Sequence, residues 1–109
     1  KSQVIRVLNN LITNAIQSIP TERSKKISLG LRFSENHVVI KISDNGSGIS
    51  PEISKRIFMP NFTTRSTGSG LGLAMVKSIV TQMNGNVAFR TQVEKGSSFF
   101  VILPLDQKA

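Results

Sequence analysis

The sequence has no cysteine, no tryptophan, no tyrosine and only one histidine. Without cysteine, the chain can form neither a disulfide framework nor a thiolate metal site. It also has no run of about 20 apolar residues, the length that crosses a bilayer as a helix. At 109 residues the chain is long enough for one hydrophobic core and short for two. We therefore expect a single domain that does not enter a membrane.

Acidic residues are scarce as well. Six Asp and Glu stand against 14 Lys and Arg, which gives a formal net charge of +8 and favours an anionic partner such as a nucleotide, an acidic protein or nucleic acid. The basic residues are scattered and mostly typical of a solvated surface. Nucleic acid is the partner we do not expect, because the phenylalanines at positions 33, 89, 99 and 100 fall in strand patterns typical of core, which leaves no stacking platform.

The pattern of apolar residues predicts two long helices. Residues 3–19 have apolar side chains at intervals of three and four, ended by Pro20, and residues 70–84 repeat this period with Gly85 as the C-cap. Between them, Ser50, Pro51 and Glu52 form a helix start for a short helix that runs to about residue 57.

Alternating apolar residues predict two hairpins. Residues 26–33 and 38–43 would pair across the turn SENH, and residues 86–93 and 98–103 across EKGS. The resulting order of helices and strands predicts an α+β two-layer sandwich, with a mixed or mostly antiparallel sheet and helices packed on one face.

Two asparagines in the first predicted helix suggest an oxygen-ligand site. Asn10 and Asn14 are four residues apart and therefore lie on the same side of the helix. Amide oxygens one turn apart can bind a hard cation such as Mg²⁺, with phosphate completing its shell. Taken alone, the pair is more simply explained as solvated side chains on a polar helix face.

The segment DNGSGI follows the second predicted strand. Asp44 could accept a hydrogen bond from the amino group of an adenine. Gly46 and Gly48 would let a flat ligand come close to the backbone, and Ile49 could form an apolar wall. A plain strand-to-helix turn capped by Asp44 explains the same residues equally well.

A third segment, TGSGLGL, places glycines at the start of the last helix. Unpaired N–H groups and the positive end of the helix dipole make such a terminus favourable for phosphate. The spacing of Gly68, Gly70 and Gly72 matches neither the dinucleotide fingerprint nor the Walker sequence. The glycines alone are therefore weak support for a phosphate site.

Together and in this order, the segments resemble a known family. NLITNA, DNGSG, IFMPNF, GSGLGL and KGSSF resemble the N, G1, F and G2 boxes and the terminal glycine turn of the ATP-binding domain of sensor histidine kinases, in the GHKL superfamily. The resemblance covers nearly the whole chain. It implies the Bergerat-type ATP-binding sandwich, with a short lid over residues 61–69 that is similar to the nitrogen-regulation sensor kinases.

The resemblance also implies roles for individual residues. Asn14 corresponds to the Mg²⁺ ligand, Asn10 to the position one turn before it, and Asp44 to the aspartate that binds adenine. Arg65 is the candidate for the γ-phosphate contact. The complete expected ATP site consists of Asn10, Asn14, Asp44, Gly46, Gly48, Ile49, Phe58, Thr64, Arg65, Gly68, Ser69, Gly70, Leu71 and Gly72.

One position favours phosphoryl transfer over hydrolysis. The gyrase and MutL branches of the superfamily have a glutamate where this chain has Asn10, and an amide cannot act as a general base. His37, in the predicted SENH turn, matches no phosphoacceptor motif. The resemblance therefore implies an upstream dimerisation domain that carries the acceptor histidine, a response regulator, and a homodimeric cytoplasmic kinase, with or without a membrane anchor.

Some features leave alternatives open. Gln17 and Ser18 occupy positions that are often basic and aromatic in the family, which would fit an ATP-binding pseudokinase. A serine kinase of the anti-sigma-factor type would share the same fold. The sheet residues that usually precede the first box are missing, so we also expect one or two edge strands outside this sequence.

Overall fold

The computed structural model describes residues 2–54, 56–58 and 72–105. Both long helices, the short helix and all four strands predicted from the sequence are present, with ends shifted by a few residues. The elements are α1 (Ser2–Ser18), β1 (Ile27–Phe33), β2 (His37–Asp44), α2 (Pro51–Ser54), α3 (Gly72–Gln82), β3 (Asn86–Gln92) and β4 (Gly96–Pro104).

The four strands form one sheet in the order β1-β2-β4-β3, and each neighbouring pair is antiparallel. The two hairpins are joined because β2 pairs with β4 over its whole length, from His37 opposite Pro104 to Asp44 opposite Ser97. Helices α1 and α3 pack against each other, α1 contacting β2 and α3 contacting β3. The α+β sandwich with helices on one face is confirmed.

The core lies between the helices and the inner face of the sheet. Alternate residues of β4 are buried there, as expected when one face of a strand is covered and the other is not. Burial of each such apolar side chain stabilises the fold by about 1.5–3 kcal/mol. The most deeply buried large side chains are Leu11, Ile42, Val76, Val80 and Val101.

The C-terminal end of α3 differs from the prediction. Asn84, not Gly85, takes the left-handed conformation, with φ of 63°. Its N–H donates to the carbonyl of Thr81, and the N–H of Gly85 donates to that of Val80, which is the Schellman arrangement. Gly85 is needed for a different reason: a Cβ there would meet the carbonyl oxygen of Ile102 in the neighbouring strand.

Two other local predictions were wrong. His37 belongs to β2, not to the preceding turn, because its cross-strand pairing with Pro104 begins the β2–β4 ladder. Helix α2 ends at Ser54 and does not reach residue 57; Ile57 is instead buried in the following turn, at 5% exposure. Tertiary contacts therefore decided both boundaries.

Two of the four strand phenylalanines are not in the core. Phe33 is 66% exposed. Phe100 alternates with the buried Phe99 and Val101 and so projects from the opposite face, where Lys41 Nζ and Arg90 Cζ lie 5.8 and 5.7 Å from its ring centroid. Strand periodicity identifies two faces but not which one is covered.

Strand β1 presents an apolar surface to solvent. Leu29 and Leu31 pair with the buried Ile42 and Ile40, so they project to the same face as the core. They are nevertheless 57% and 60% exposed, because β1 is the edge strand and lies beyond the area that the helices cover. Within the described ranges, the chain has no helix long and apolar enough to span a bilayer.

Candidate nucleotide-binding site

Asp44 ends β2 and begins the glycine-rich loop. Its Oδ1 accepts a hydrogen bond of 2.8 Å from the N–H of Gly46, the short-range turn that aspartate commonly makes. The side chain is half-buried, and among the described residues no partner is assigned to Oδ2. One carboxylate oxygen therefore orients the side chain, and the other can accept a hydrogen bond from a ligand.

The loop after Asp44 rests against the end of α1. The N–H of Ser47 donates to the carbonyl oxygen of Ser18 at 3.1 Å. A Cβ on Gly46 would lie 2.5 Å from that oxygen and 2.5 Å from the Ser18 hydroxyl. The close packing of Gly46 on Ser18 thus requires a small residue at both positions.

On its other side the loop is held by the β3–β4 hairpin. The N–H of Glu94 donates to the carbonyl of Ser47 at 2.6 Å, and the N–H of Ile49 donates to the hydroxyl of Thr91 at 2.8 Å. Gly48 has φ of 76°, and a Cβ there would collide with the carbonyl oxygen of Gln92. Gly46 and Gly48 were expected to make room for a base, which stays a prediction; the structure gives a further reason for glycine, since the position of a Cβ at either residue is taken by the protein's own atoms.

Asn10 and Asn14 lie one turn apart on α1, and Asn10 contacts α3. Asn10 Nδ2 donates to the carbonyl of Arg6 at 2.9 Å and lies 3.8 Å from the sulfur of Met75 on α3. Asn14 is one turn from Ser18 and so lies between Asn10 and the Asp44 loop. Both amides are half-buried. The carboxamide oxygens of such a pair can bind Mg²⁺, with further positions for phosphate oxygens and water.

The start of α3 lies near the same asparagines. Gly72 begins α3, one turn before Met75, the residue that contacts Asn10. The first N–H groups of this helix lack intrahelical partners and can bind an anion. The other residues of the expected phosphate and lid segment, Thr64, Arg65, Gly68, Ser69, Gly70 and Leu71, lie outside the described residues.

Phe58 packs into an aromatic cluster beside the core. Its ring centroid is 5.9 Å from that of Phe89 and 6.4 Å from that of Phe99, and Lys77 Nζ lies 5.6 Å from it. Ile49 also packs against the core. Their contact with a nucleotide stays a prediction, since packing alone accounts for where both side chains lie.

Sequence reasoning missed the residues that hold the loop in place. Ser18, Arg23, Thr91 and Glu94 all bond to residues 45–49 from distant parts of the chain. Arg23 and Glu94 lie in polar connecting segments without periodicity, so no local pattern distinguishes them from solvated surface residues.

Known proteins resemble this chain closely. A family described as "Histidine kinase-, DNA gyrase B-, and HSP90-like ATPase" matches residues 1–107. Sporulation kinase D of Bacillus subtilis is 34% identical over 96% of this chain and 20% of its own length. Sensor histidine kinase ZraS of Escherichia coli is 40% identical over 95% of this chain and 22% of its own length. This chain thus spans about a fifth of these relatives.

The likeness extends to three dimensions. The solved structure of the catalytic domain of histidine kinase ThkA superposes with a TM-score of 0.82 at 28% identity, covering 94% of this chain and 66% of that one. The fold is therefore that of histidine kinase catalytic domains, which confirms the α+β architecture expected from the sequence.

Proposed function

Because the chain belongs to the family of histidine kinase-, DNA gyrase B- and HSP90-like ATPases, we propose that it is the ATP-binding catalytic domain of a two-component sensor histidine kinase. In this role it presents Mg·ATP for transfer of the γ-phosphoryl group to a histidine on a separate domain. ATP binding follows from the family; the transfer, its acceptor and Mg²⁺ are parts of the proposal.

The observation that carries the proposal is the arrangement of Asp44, Asn14 and the start of α3. The Asp44 carboxylate, oriented by Gly46, lies at the end of β2, next to the loop that contacts the end of α1. There it can accept a hydrogen bond from the amino group of adenine. Asn14 lies between this loop and Asn10, which faces α3 near Gly72. A nucleotide bound with its base at Asp44 would thus extend its phosphates toward the asparagines and the helix N-terminus.

Asn10 supports transfer over hydrolysis. Its amide has no basic atom that could take a proton from water, and its Nδ2 is bonded to the Arg6 carbonyl. A neutral imidazole is already a competent nucleophile and needs no such base. We therefore assign Asn10 and Asn14 to binding and orientation of the cation and phosphates, with the bound Mg²⁺ supplying charge neutralisation.

The acceptor histidine lies outside this chain in our proposal. His37 and Asp44 are at opposite ends of β2, and seven strand steps separate them by about 23 Å. We place the acceptor on a dimerisation domain upstream in the full-length homodimer, and a response regulator as the next phosphate carrier. We place the domain in the cytoplasm, where ATP is available; a membrane anchor would belong to another part of the protein.

Phosphoryl transfer can be tested with γ-labelled ATP. The 109-residue chain alone should incorporate no label, because it lacks an acceptor, whereas a dimerisation domain containing a histidine should become labelled in its presence. Asn14→Ala should lower that labelling by about 100-fold, the loss typical of a removed transition-state contact. Asn36→Ala, in the β1–β2 turn, is the matched control.

Strong labelling of the chain by itself would contradict the proposal that the acceptor histidine lies on a separate domain. The label on the acceptor should be lost in acid and retained in alkali, as expected of phosphohistidine. An acid-stable label would instead favour the serine kinase. Binding of ATP without any labelling would favour the pseudokinase.

We also propose that further strand residues outside this sequence cover the edge at β1. The support is the exposed apolar row of Leu29, Leu31 and Phe33, which is unusual on the surface of a complete domain. A version extended upstream should bind less of a hydrophobic dye than the present chain. Equal dye binding by both versions would contradict this proposal.

A further inference from the structure

Arg23 lies in the connection between α1 and β1, and it joins three separate segments. Its Nη1 donates to the carbonyl oxygens of Asn45 and Gly46 at 2.6 and 2.9 Å. Its Nη2 lies 3.2 Å from Glu94 Oε1 in the β3–β4 turn. The Arg23 side chain is 31% exposed and that of Glu94 is 71% exposed.

The two loop carbonyls that Arg23 binds belong to consecutive residues. Carbonyl oxygens that converge on one point repel each other unless a donor lies between them, and a guanidinium offers several donors in a fixed plane. Hydrogen bonds from a charged donor are also stronger than neutral ones. Arg23 thus stabilises a backbone conformation that the loop would otherwise adopt less often.

Gly46 connects this contact to the ligand site. Its N–H holds Asp44 Oδ1 at 2.8 Å, and its carbonyl is held by Arg23 at 2.9 Å. The orientation of the Asp44 carboxylate therefore depends on a residue that is itself held by the guanidinium. A loop without Arg23 would keep Asp44 but would present its free oxygen over a wider range of directions.

We propose that Arg23 is a positioning residue for nucleotide binding, holding the loop that orients Asp44 for the adenine amino group. This inference rests on the proposed function, since it takes Asp44 as the residue that contacts the base. Arg23 acts through Gly46 and does not itself contact the nucleotide. The fork that reaches two carbonyls and Glu94 requires arginine, because lysine offers one ammonium on a flexible stem.

The surrounding contacts show why loss of Arg23 should act locally. The side chain of Asn45 accepts the N–H of Lys26 and donates to the carbonyl of Ser24, each at 2.9 Å. These bonds hold the α1–β1 connection next to the Asp44 loop even when the Arg23 side chain is removed. The ion pair with Glu94 is largely exposed, and such pairs contribute little to stability. Its role is to steady the guanidinium.

The test compares Arg23→Ala with Arg32→Ala, which removes the same charge from an exposed position on β1. Calorimetry should show ATP binding about tenfold weaker in Arg23→Ala and unchanged in Arg32→Ala. The preference for ATP over GTP should also decrease, because a mobile Asp44 discriminates less. Ethylguanidinium at low millimolar concentration should partly restore ATP binding to Arg23→Ala. Arg23→Lys should bind ATP more weakly than the wild type does.

Amide hydrogen exchange supplies a readout that general destabilisation would not give. Exchange at Gly46 and Ser47 should become about tenfold faster in Arg23→Ala, while Val101 in the core of β4 should exchange as in the wild type. Unchanged ATP affinity would overturn the inference, as would unchanged loop exchange or equal acceleration at all three amides.

The two proposals can fail separately. A wild-type chain that binds no ATP would overturn the proposed function, and the exchange data would still decide whether Arg23 holds the loop. Wild-type ATP binding that Arg23→Ala leaves intact would overturn this inference alone. If Arg23→Ala fails to fold, Arg23→Lys and Glu94→Gln serve instead: the first should weaken ATP binding several-fold, and the second less than the first.

Discussion

Asp44→Asn is expected to weaken ATP binding by about 10- to 100-fold, the range that corresponds to loss of a hydrogen bond to a charged group. The carboxylate has two acceptor oxygens, and one of them already accepts the Gly46 N–H. An asparagine can keep that bond only by turning its NH₂ group toward the ligand. Because the adenine amino group is also a hydrogen-bond donor, the asparagine NH₂ and the adenine amino group would face each other with no acceptor between them. Calorimetric titration with ATP, with and without Mg²⁺, measures the loss.

The base selectivity of Asp44→Asn gives a sharper result than its affinity. Guanine has a carbonyl oxygen where adenine has its amino group, so the asparagine NH₂ should improve GTP binding relative to ATP. Glu35→Gln is the matched control: it also removes one negative charge, but Glu35 lies in the β1–β2 turn, at the opposite end of β2 from Asp44. By general electrostatics, loss of a negative charge should leave the affinity for anionic ATP unchanged or slightly higher. If Asp44→Asn changes ATP affinity only as Glu35→Gln does, Asp44 does not contact the base.

Gly96→Ala is expected to destabilise the fold by about 3 kcal/mol or more, since backbone strain and overpacking each cost about 1–3 kcal/mol. Gly96 has φ of 129°, and a Cβ would collide with the carbonyl oxygen of Asp44. Asp44 pairs with Ser97 in the β2–β4 ladder, so neither strand can withdraw without breaking the centre of the sheet. Urea unfolding followed by circular dichroism measures the change.

Gly30→Ala is the control for this prediction. Gly30 lies in the exposed edge strand β1, and an added Cβ would meet no atom within 4 Å. Because glycine is unfavourable within a strand, this variant should be more stable than the wild type by about 0.5 kcal/mol. A small effect at both glycines would mean that the β3–β4 turn is more adaptable than its geometry indicates.

The regular elements could be predicted because their sequence patterns are local. The spacing of Leu11, Ala15 and their neighbours needs only the helical period, and the alternation along β4 needs only the strand period. The elements of the candidate site could be located in the same way, because Asn10, Asn14 and Asp44 lie at fixed positions within or at the end of such elements. Family resemblance then supplied roles that the individual residues left open.

Predictions failed where a residue's surroundings come from distant segments. Phe33 has the alternation of a core strand and is exposed because no helix reaches β1. His37 joined β2 because Pro104 is available as its partner. For Gly46 and Gly48, the sequence did not show that a Cβ would meet atoms of Ser18 and Gln92; their contact with a ligand stays a prediction. In each case the deciding neighbour is remote along the chain.

The sequence by itself determined the element order, the α+β class and the family, since periodicity, capping residues and short motifs are properties of adjacent residues. Only the tertiary structure decided how the Asp44 loop is held between the end of α1 and the β3–β4 turn. Arg23 shows why: its three partners lie 22, 23 and 71 residues away. Bonds of that range exist only after the sheet has formed and brought the segments together.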